Sequence, residues 1–163
     1  MDDPRSKFPQ PPFPSQTQPF PGLAKDMKPV PDHGETSYKG SGRLQGRKAL
    51  VTGGDSGMGR AAAIAFAREG ADVAISYLPD EEADAQEVIK LIEAEGRTAL
   101  ALPGDIRDET WCKSMVEQTL AKLGGLDILV NNAGRQQQRQ SLDELSSDDF
   151  DATMKTNLYA MFW

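Results

Sequence analysis

One stretch, residues 48–60, constrains the fold of this chain more than any other. It consists of a short apolar run that breaks into four glycines and then becomes alanine-rich. Ala49–Val51 is too short for a helix and predicts a buried strand, whereas residues 60–68 predict a helix and residues 71–77 a second strand. This order of strand, glycine-rich turn, helix and strand is typical of a half-domain that binds a dinucleotide.

The turn between the first strand and the helix has the composition of a phosphate-binding loop. Gly53, Gly54, Gly57 and Gly59 lack the Cβ atoms that would keep the backbone from lying close to a ligand. The unpaired N–H groups and the positive dipole end of the following helix would face a bound pyrophosphate. Surface turns also collect Gly, Asp and Ser for conformational reasons alone, so the turn by itself leaves both interpretations open.

The rest of the chain continues the alternation of helices and strands. Residues 79–95 predict an amphipathic helix, residues 97–103 a third strand, residues 109–123 another helix and residues 126–131 a fourth strand. Short apolar strands that alternate with helices of this length predict a parallel β-sheet covered on both faces, which is the α/β class.

Composition narrows the class of function. The 163 residues carry a net charge of −7, which argues against a nucleic-acid or anionic-membrane surface, because these partners need clustered Lys and Arg. Cys112 and His33 are the single cysteine and histidine, so no metal site is predicted. The longest all-apolar run is the seven residues 61–67, too short to span a membrane. We therefore expect one domain in the cytoplasm.

The N-terminal residues 1–42 differ in character from the rest. Nine of the eleven prolines fall within residues 1–31, interleaved with Gln and Ser, which predicts an extended or disordered arm ahead of a domain at 43–163. The arm could bind a proline-recognition module or a neighbouring subunit through Phe8–Pro14. It could equally be a solvated tail partly draped on its own domain.

A polar motif follows the fourth predicted strand directly. Asn131, Asn132, Ala133 and Gly134 lie where an Asn amide can tie adjacent strands together and Ala-Gly can keep the loop low beside a ribose. The same four residues could form a turn by chance. Their position, directly after a predicted strand and about 80 residues after the glycine-rich turn, favours the first interpretation.

Two further candidates are a strand-end aspartate and a helical asparagine. Asp105, beside the apolar Ile106, could accept a hydrogen bond from the exocyclic amine of a flat base, or it could cap the next helix. Asn157 falls in an apolar helical pattern that begins at a cap, Ser146 or Ser147. It is either a functional side chain or a poor helix former tolerated on the surface.

These motifs together resemble the short-chain dehydrogenase/reductase family over residues 38–163. The resemblance rests on Thr-Gly-x-x-x-Gly-x-Gly at 52–59, Asn-Asn-Ala-Gly at 131–134 and Gly-Asp-Ile at 104–106. It implies a Rossmann-type doubly wound parallel sheet, of which this chain would carry the N-terminal part with about four strands. It also implies an oxidoreductase that transfers hydride between NAD or NADP and a small-molecule alcohol or carbonyl substrate.

The resemblance further implies roles for individual residues. The family's catalytic asparagine, which holds a water connected to a catalytic lysine, would correspond to Asn157. Asp105 would accept from the adenine amino group, with Ile106 along the ring. A homo-oligomer, dimer or tetramer, is implied for the complete protein, and the glucose/ribitol dehydrogenases are the subgroup that looks most similar. The implied cofactor-binding residues are Thr52, Gly53, Asp55, Ser56, Gly57, Met58, Gly59, Ser76, Tyr77, Asp105, Ile106, Asn131, Asn132, Ala133 and Gly134.

The chain departs from the family pattern in its catalytic residues. The family's Tyr-x-x-x-Lys is absent, since none of Tyr38, Tyr77 and Tyr159 is followed by Lys four residues later. The resemblance then implies that the catalytic Ser, Tyr and Lys would lie beyond Trp163, and that the chain alone would bind cofactor without turnover. A non-catalytic nucleotide-binding or redox-sensing module remains an alternative, as does a scaffold acting through the proline-rich arm.

The end of the second strand bears on the choice between NAD and NADP. An acidic side chain there would bind the ribose 2′-OH, but the sequence has Ser76 and Tyr77. Arg60 could approach a 2′-phosphate or cover the helix N-terminus as a solvent-facing charge. We therefore predict dual use of NAD and NADP, with Ser76 and Tyr77 near the adenosine ribose.

Overall fold

The computed structural model describes residues 3–6, 8–19 and 22–163. Its centre is a four-stranded sheet in the order β3-β2-β1-β4, with every pair parallel. This confirms the predicted α/β class and the Rossmann-type parallel sheet. The strands are β1 (Lys48–Thr52), β2 (Asp72–Tyr77), β3 (Ala99–Pro103) and β4 (Ile128–Val130), and the main helices are α1 (Gly57–Arg68), α2 (Glu82–Ala94), α3 (Glu109–Leu123) and α4 (Ser147–Met154).

Helices cover both faces of the two central strands, which explains why these strands have an apolar rather than an alternating sequence. On one face, α1 and α2 pack on Ala49, Val51, Val73 and Ile75 through side chains that include Ala63, Val88 and Ile92. On the other face, α3 packs through Met115 and Leu123 on Leu50, Ala74 and Leu102. Each fully buried Leu or Ile contributes roughly 1.5–3 kcal/mol to this core.

The boundaries of α3 match the prediction, because both of its ends carry strong local signals. Asp108 accepts a hydrogen bond from the Thr110 N–H at 2.8 Å and so caps the N-terminus. Gly124 ends the helix in the left-handed conformation, with a φ of 77°. The predicted third and fourth strands are each shortened, and β4 retains only three residues at the sheet edge.

Helix α1 begins earlier than predicted, at Gly57 rather than Arg60. The Arg60 N–H donates to the Ser56 carbonyl at 3.0 Å and closes the first helical turn. Gly57 and Gly59 therefore belong to the helix rather than to the preceding loop, and the N–H groups of its first residues have no intrahelical acceptor.

The last helix starts where the sequence predicts, because the Ser146 hydroxyl accepts from the Asp149 N–H at 3.1 Å. Beyond α4 the chain continues through a π-helical turn, Lys155–Tyr159, into a short α5 (Ala160–Phe162). Such π turns widen and bend a helix locally. None of the helices in the described ranges is long and apolar enough to cross a membrane.

The second half of the predicted arm lies against the domain. The Ala24 N–H donates to the buried Asp84 carboxylate in α2 at 2.6 Å. The Arg68 guanidinium at the end of α1 donates to three carbonyls of the arm, those of Gly34, Glu35 and Tyr38. These bonds hold residues 24–38 on the outer side of α1 and α2.

The next residue of the chain, Glu69, binds the segment that leads into β1. Its carboxylate accepts from the Tyr38 hydroxyl, from the N–H groups of Ser41 and Arg43 and from the Arg43 guanidinium. Charge-assisted bonds of this kind are about twice as strong as neutral ones. Residues 38–43 therefore have a defined path into the sheet.

Candidate functional site

A cleft of about 370 Å³ lies at the carboxyl edge of the sheet, where parallel α/β proteins bind their ligands. The glycine-rich turn, the end of β2 and the loops after β3 and β4 form its walls. Most of the predicted cofactor-binding residues line it: Gly53, Asp55, Ser56, Gly57, Met58, Ser76, Tyr77, Asp105, Ile106, Asn132, Ala133 and Gly134.

Three of the predicted cofactor residues, Thr52, Gly59 and Asn131, lie outside the cleft wall, as does Asn157. Thr52 and Gly59 are buried beside the turn and shape it from within. Asn131 does not line the cleft; with Asn157 it lines a neighbouring pocket, which shares the loop residues 132–135 with the cleft.

Thr52 and Asn132 hold the glycine-rich turn against the loop after β4. The Thr52 hydroxyl accepts from the Asn132 and Ala133 N–H groups, both at 3.1 Å, and donates to the Val130 carbonyl at 3.3 Å. The Asn132 side-chain amide donates to the carbonyls of Thr52 and Gly53, both at 3.0 Å. An Asn in this motif thus ties two strand ends together, as the sequence predicts.

The close packing of α1 on the turn requires glycine. A Cβ at Gly59 would lie 1.9 Å from the Gly53 carbonyl oxygen and 2.6 Å from the Asn132 Nδ2 atom, so no side chain fits there. Gly57 differs, because a Cβ at this position would meet nothing within 4 Å. The first turn of α1 therefore presents bare backbone N–H groups next to open space, which suits an anionic group.

The end of β2 forms the wall beside the turn. The Ser76 carbonyl accepts from the N–H groups of Gly53 and Gly54, at 2.7 and 3.2 Å. The Tyr77 ring is buried and its hydroxyl donates to the Glu82 carboxylate at 2.8 Å. Burial and this carboxylate raise the pKa of Tyr77, so its hydroxyl acts as a fixed donor rather than as an acid.

Asp105 forms the opposite wall together with Arg107. Its two carboxylate oxygens accept from the Arg107 side chain, with the closest contact 2.5 Å, and from the Arg107 N–H at 2.9 Å. This pairing lowers the pKa of Asp105 and keeps it ionised as an acceptor. Asp108, not Asp105, caps the following helix, so the capping alternative for Asp105 is wrong.

Both interpretations of Arg60 from the sequence are wrong. The side chain is only 9% exposed, and it pairs with Glu35 of the arm and Glu87 of α2, both at 3.1 Å. It does not line the cleft. Glu35 lies 25 residues before Arg60 in the chain, which is too far for a local sequence pattern to predict their pairing.

Asn157 lies within the π-helical turn and is exposed. Its Oδ1 accepts from the Arg135 N–H at 2.7 Å, and its Nδ2 donates to the Arg135 carbonyl at 2.9 Å. The side chain therefore joins the π-helical turn to the loop after β4.

Sequence reasoning missed several cleft residues. Glu81 belongs to the 3₁₀ turn Pro79–Glu81, and its carboxylate accepts from the Leu78 N–H at 2.9 Å. The available sequence signal was the Pro79 that follows Leu78 and starts a turn, with an acidic residue two positions later. The other residues that line the cleft without having been predicted are Leu78, Gly104, Arg107, Arg135 and Thr156. In the described part of the chain, no group of three or more His, Cys, Asp or Glu could hold a metal ion.

The fold and the site define a class: a parallel α/β domain with a glycine-rich turn and a helix N-terminus at a cleft beside the carboxyl ends of the strands, the arrangement typical of dinucleotide-binding domains. The family model described as short chain dehydrogenase matches residues 47–163. The chain belongs to the short-chain dehydrogenase family.

Relatives of this chain carry oxidoreductase names. It is 59% identical to the uncharacterized oxidoreductase YhxD of Bacillus subtilis over 93% of the chain and 50% of that protein. It is 55% identical to the uncharacterized oxidoreductase YghA of Escherichia coli over 100% of the chain and 55% of that protein. The glucose and ribitol dehydrogenase of Daucus carota is 36% identical over 93% of the chain and 54% of that protein. The chain thus spans about half the length of the curated relatives it matches.

Two solved structures that hold a bound dinucleotide are similar to this chain. A short chain dehydrogenase from Burkholderia cenocepacia in complex with NADP is 49% identical with a TM-score of 0.67, covering 74% of this chain and 48% of that one. A short chain dehydrogenase from Mycobacterium paratuberculosis bound to NAD is 35% identical with a TM-score of 0.67, over 74% and 48% of the two chains.

Proposed function

We propose that this chain binds a nicotinamide dinucleotide, NAD or NADP, in the cleft at the carboxyl edge of the sheet, for hydride transfer with an alcohol or carbonyl substrate. The observation that carries the proposal is the first turn of α1. There Gly57 leaves open space beside bare N–H groups, and Gly59 allows the helix to lie directly on the Gly53 carbonyl.

The residues of the cleft suit the parts of such a cofactor. The turn from Gly53 to Met58 and the N-terminus of α1 would hold the pyrophosphate. Ser76 and Tyr77 would lie towards the adenosine ribose, with Asp105 and Ile106 beside the adenine, and Asn132–Gly134 would line the path to the nicotinamide. When bound, the cofactor supplies hydride chemistry, and the chain contributes binding and orientation.

Asn157 is the one catalytic residue that we propose within this chain. Its contacts with both Arg135 backbone atoms fix the π-helical turn, and π turns are frequent at functional sites. In the family, proton transfer uses a Tyr-x-x-x-Lys pair, which residues 1–163 do not contain. We therefore propose that this chain provides the cofactor-binding half and does not turn over substrate by itself.

We also propose a substrate class, an oligomeric state and a cellular location. The similarity to the carrot glucose and ribitol dehydrogenase supports a polyol or sugar as the substrate class. A homo-oligomer, dimer or tetramer, located in the cytoplasm, is consistent with family membership.

Calorimetric titration of the chain with NAD and with NADP tests the proposal. A Val at Gly57 (Gly57→Val) should abolish binding, because the side chain would fill the space beside the helix N-terminus. Equal affinities of the variant and the parent chain would refute the phosphate-turn assignment.

Gly96→Val is the matched control. Gly96, like Gly57, has a positive φ (70° and 53°) and open space around its Cβ position. It lies at the far end of α2, so it carries the same backbone strain without affecting the cleft. We expect it to lower stability and to retain dinucleotide affinity.

A further inference from the structure

NAD and NADP differ at a single position, the 2′ carbon of the adenosine ribose. Selection between them depends on the charge near that position, because a carboxylate accepts from a 2′-OH and repels a 2′-phosphate. The β2 residues Ser76 and Tyr77 are neutral, and the Tyr77 hydroxyl is already bonded to Glu82. The charges around this end of the cleft must therefore come from other elements.

Glu81 brings a carboxylate to this wall of the cleft. It lines the cleft alongside Ser76, Tyr77 and Leu78. Its Oε2 atom is fixed by the Leu78 N–H at 2.9 Å, so the side chain is folded back over the end of β2 instead of extending into solvent. The 3₁₀ turn that follows the strand thus returns an acidic group to the place that the strand itself leaves neutral.

Asp55 adds a second carboxylate from the glycine-rich turn. It is buried and lines the same cleft. Glu81 and Asp55 line one cleft, and burial together with the charge of Asp55 raises the pKa of Glu81. Burial likewise raises the pKa of Asp55.

Within the described residues, each of the arginines near this end of the cleft has a carboxylate partner. Arg60 does not line the cleft and is paired with Glu35 of the arm and with Glu87. Arg107 and Arg135 line the cleft in the described part of the chain, and each is paired with an aspartate, Asp105 and Asp149 respectively. The adenosine end of the cleft therefore keeps an excess of negative charge.

We propose that this cleft selects NAD over NADP and that Glu81 is the residue that discriminates, with Asp55 reinforcing it. The proposal rests on the dinucleotide function proposed above and replaces the expectation of dual use. It assigns the selectivity for NAD to a residue of the turn after β2, because the end of the strand carries no charged side chain.

The test compares dissociation constants of the chain for NAD and NADP, and for adenosine 5′-monophosphate and adenosine 2′,5′-bisphosphate, which differ only in the 2′-phosphate. We expect the parent chain to bind the ligands without a 2′-phosphate more tightly. Glu81→Gln keeps the acceptor for the Leu78 N–H and removes the charge. It should lower the ratio of the NADP to the NAD dissociation constant by about tenfold, the scale of one charge repulsion in a partly screened site.

Asp80→Asn is the matched control, because Asp80 is an exposed neighbour in the same 3₁₀ turn and does not line the cleft. It makes the same change in net charge and should alter the ratio by less than about twofold, since solvent screens it. Asp55→Asn gives an independent variant that should lower the ratio in the same direction as Glu81→Gln.

Three outcomes would overturn the inference. One is a parent chain that binds NADP at least as tightly as NAD, and another is a Glu81→Gln ratio equal to that of Asp80→Asn. A loss of affinity by the same factor for both ligands would assign Glu81 a structural role only. Failure of all four ligands to bind would instead refute the dinucleotide function itself.

Discussion

Replacing Thr52 by valine isolates the contact that joins the glycine-rich turn to the loop after β4. Valine has nearly the same shape as threonine, so the change removes the hydroxyl and leaves the packing in place. The Ala133 N–H loses its acceptor at 3.1 Å. The Asn132 N–H loses one of two acceptors and keeps the Val130 carbonyl at 3.0 Å.

The expected loss of stability follows from the difference between these two N–H groups. One N–H group in a half-buried loop is left without an acceptor and another is weakened, which amounts to about 2 kcal/mol of unfolding free energy. For a chain of this size, this loss corresponds to a decrease in the melting temperature of roughly 4–8 °C. Urea and thermal unfolding followed by circular dichroism measure both quantities.

Thr119→Val is the control for this change. Thr119 is fully buried in α3, and its hydroxyl donates to the Met115 carbonyl at 2.8 Å, one turn back in the same helix. That carbonyl already accepts the helical backbone bond, so the variant leaves no group unpaired and should change stability by less than about 0.5 kcal/mol. If Thr52→Val destabilises the chain no more than Thr119→Val, the hydrogen bonds to the Thr52 hydroxyl contribute nothing to stability and the reasoning is wrong.

Three further predictions concern the turn, the arm and the reaction. Gly59→Ala should abolish dinucleotide binding and lower the melting temperature, because its Cβ would lie 1.9 Å from the Gly53 carbonyl oxygen; calorimetric titration measures the first effect, and retained affinity would contradict the packing. Glu35→Gln should destabilise the chain at pH 7. Burial acts to raise the pKa of the Glu35 carboxyl, but hydrogen bonds from its own backbone and from His33 lower it to about 2, below its ordinary value of 4.5. The stability it contributes is therefore present above about pH 4.5 and is lost as the pH falls towards 2, so the difference in melting temperature between the two proteins should vanish across that window, and a constant difference would exclude the ionised role. The 163-residue chain, which has no Tyr-x-x-x-Lys, should not oxidise alcohols with NAD or NADP, as monitored by nicotinamide absorbance; turnover by the purified chain would refute the proposal that it binds cofactor without turnover.

The sequence determined the order of the elements and the location of the cleft. Ala49–Val51 and Val73–Ile75 are apolar runs, which is typical of strands covered on both faces, and the glycines between them fall where a parallel sheet binds ligands. The local capping signal at Ser146 was sufficient to place the start of α4. These features depend on residues a few positions apart, so they can be recognised in the chain itself.

Only the tertiary structure decided how charges are distributed around the cleft. The sequence offers Arg60 as a neighbour of the turn, but folding brings Glu35 and Glu87 against it and removes it from the site. It offers Glu81 as one acid among several, but the 3₁₀ turn folds this one back onto the cleft wall. Electrostatic interactions fall off with distance in space and not along the chain, so the partner of each charge was decided by the packing of the arm, α1 and α2.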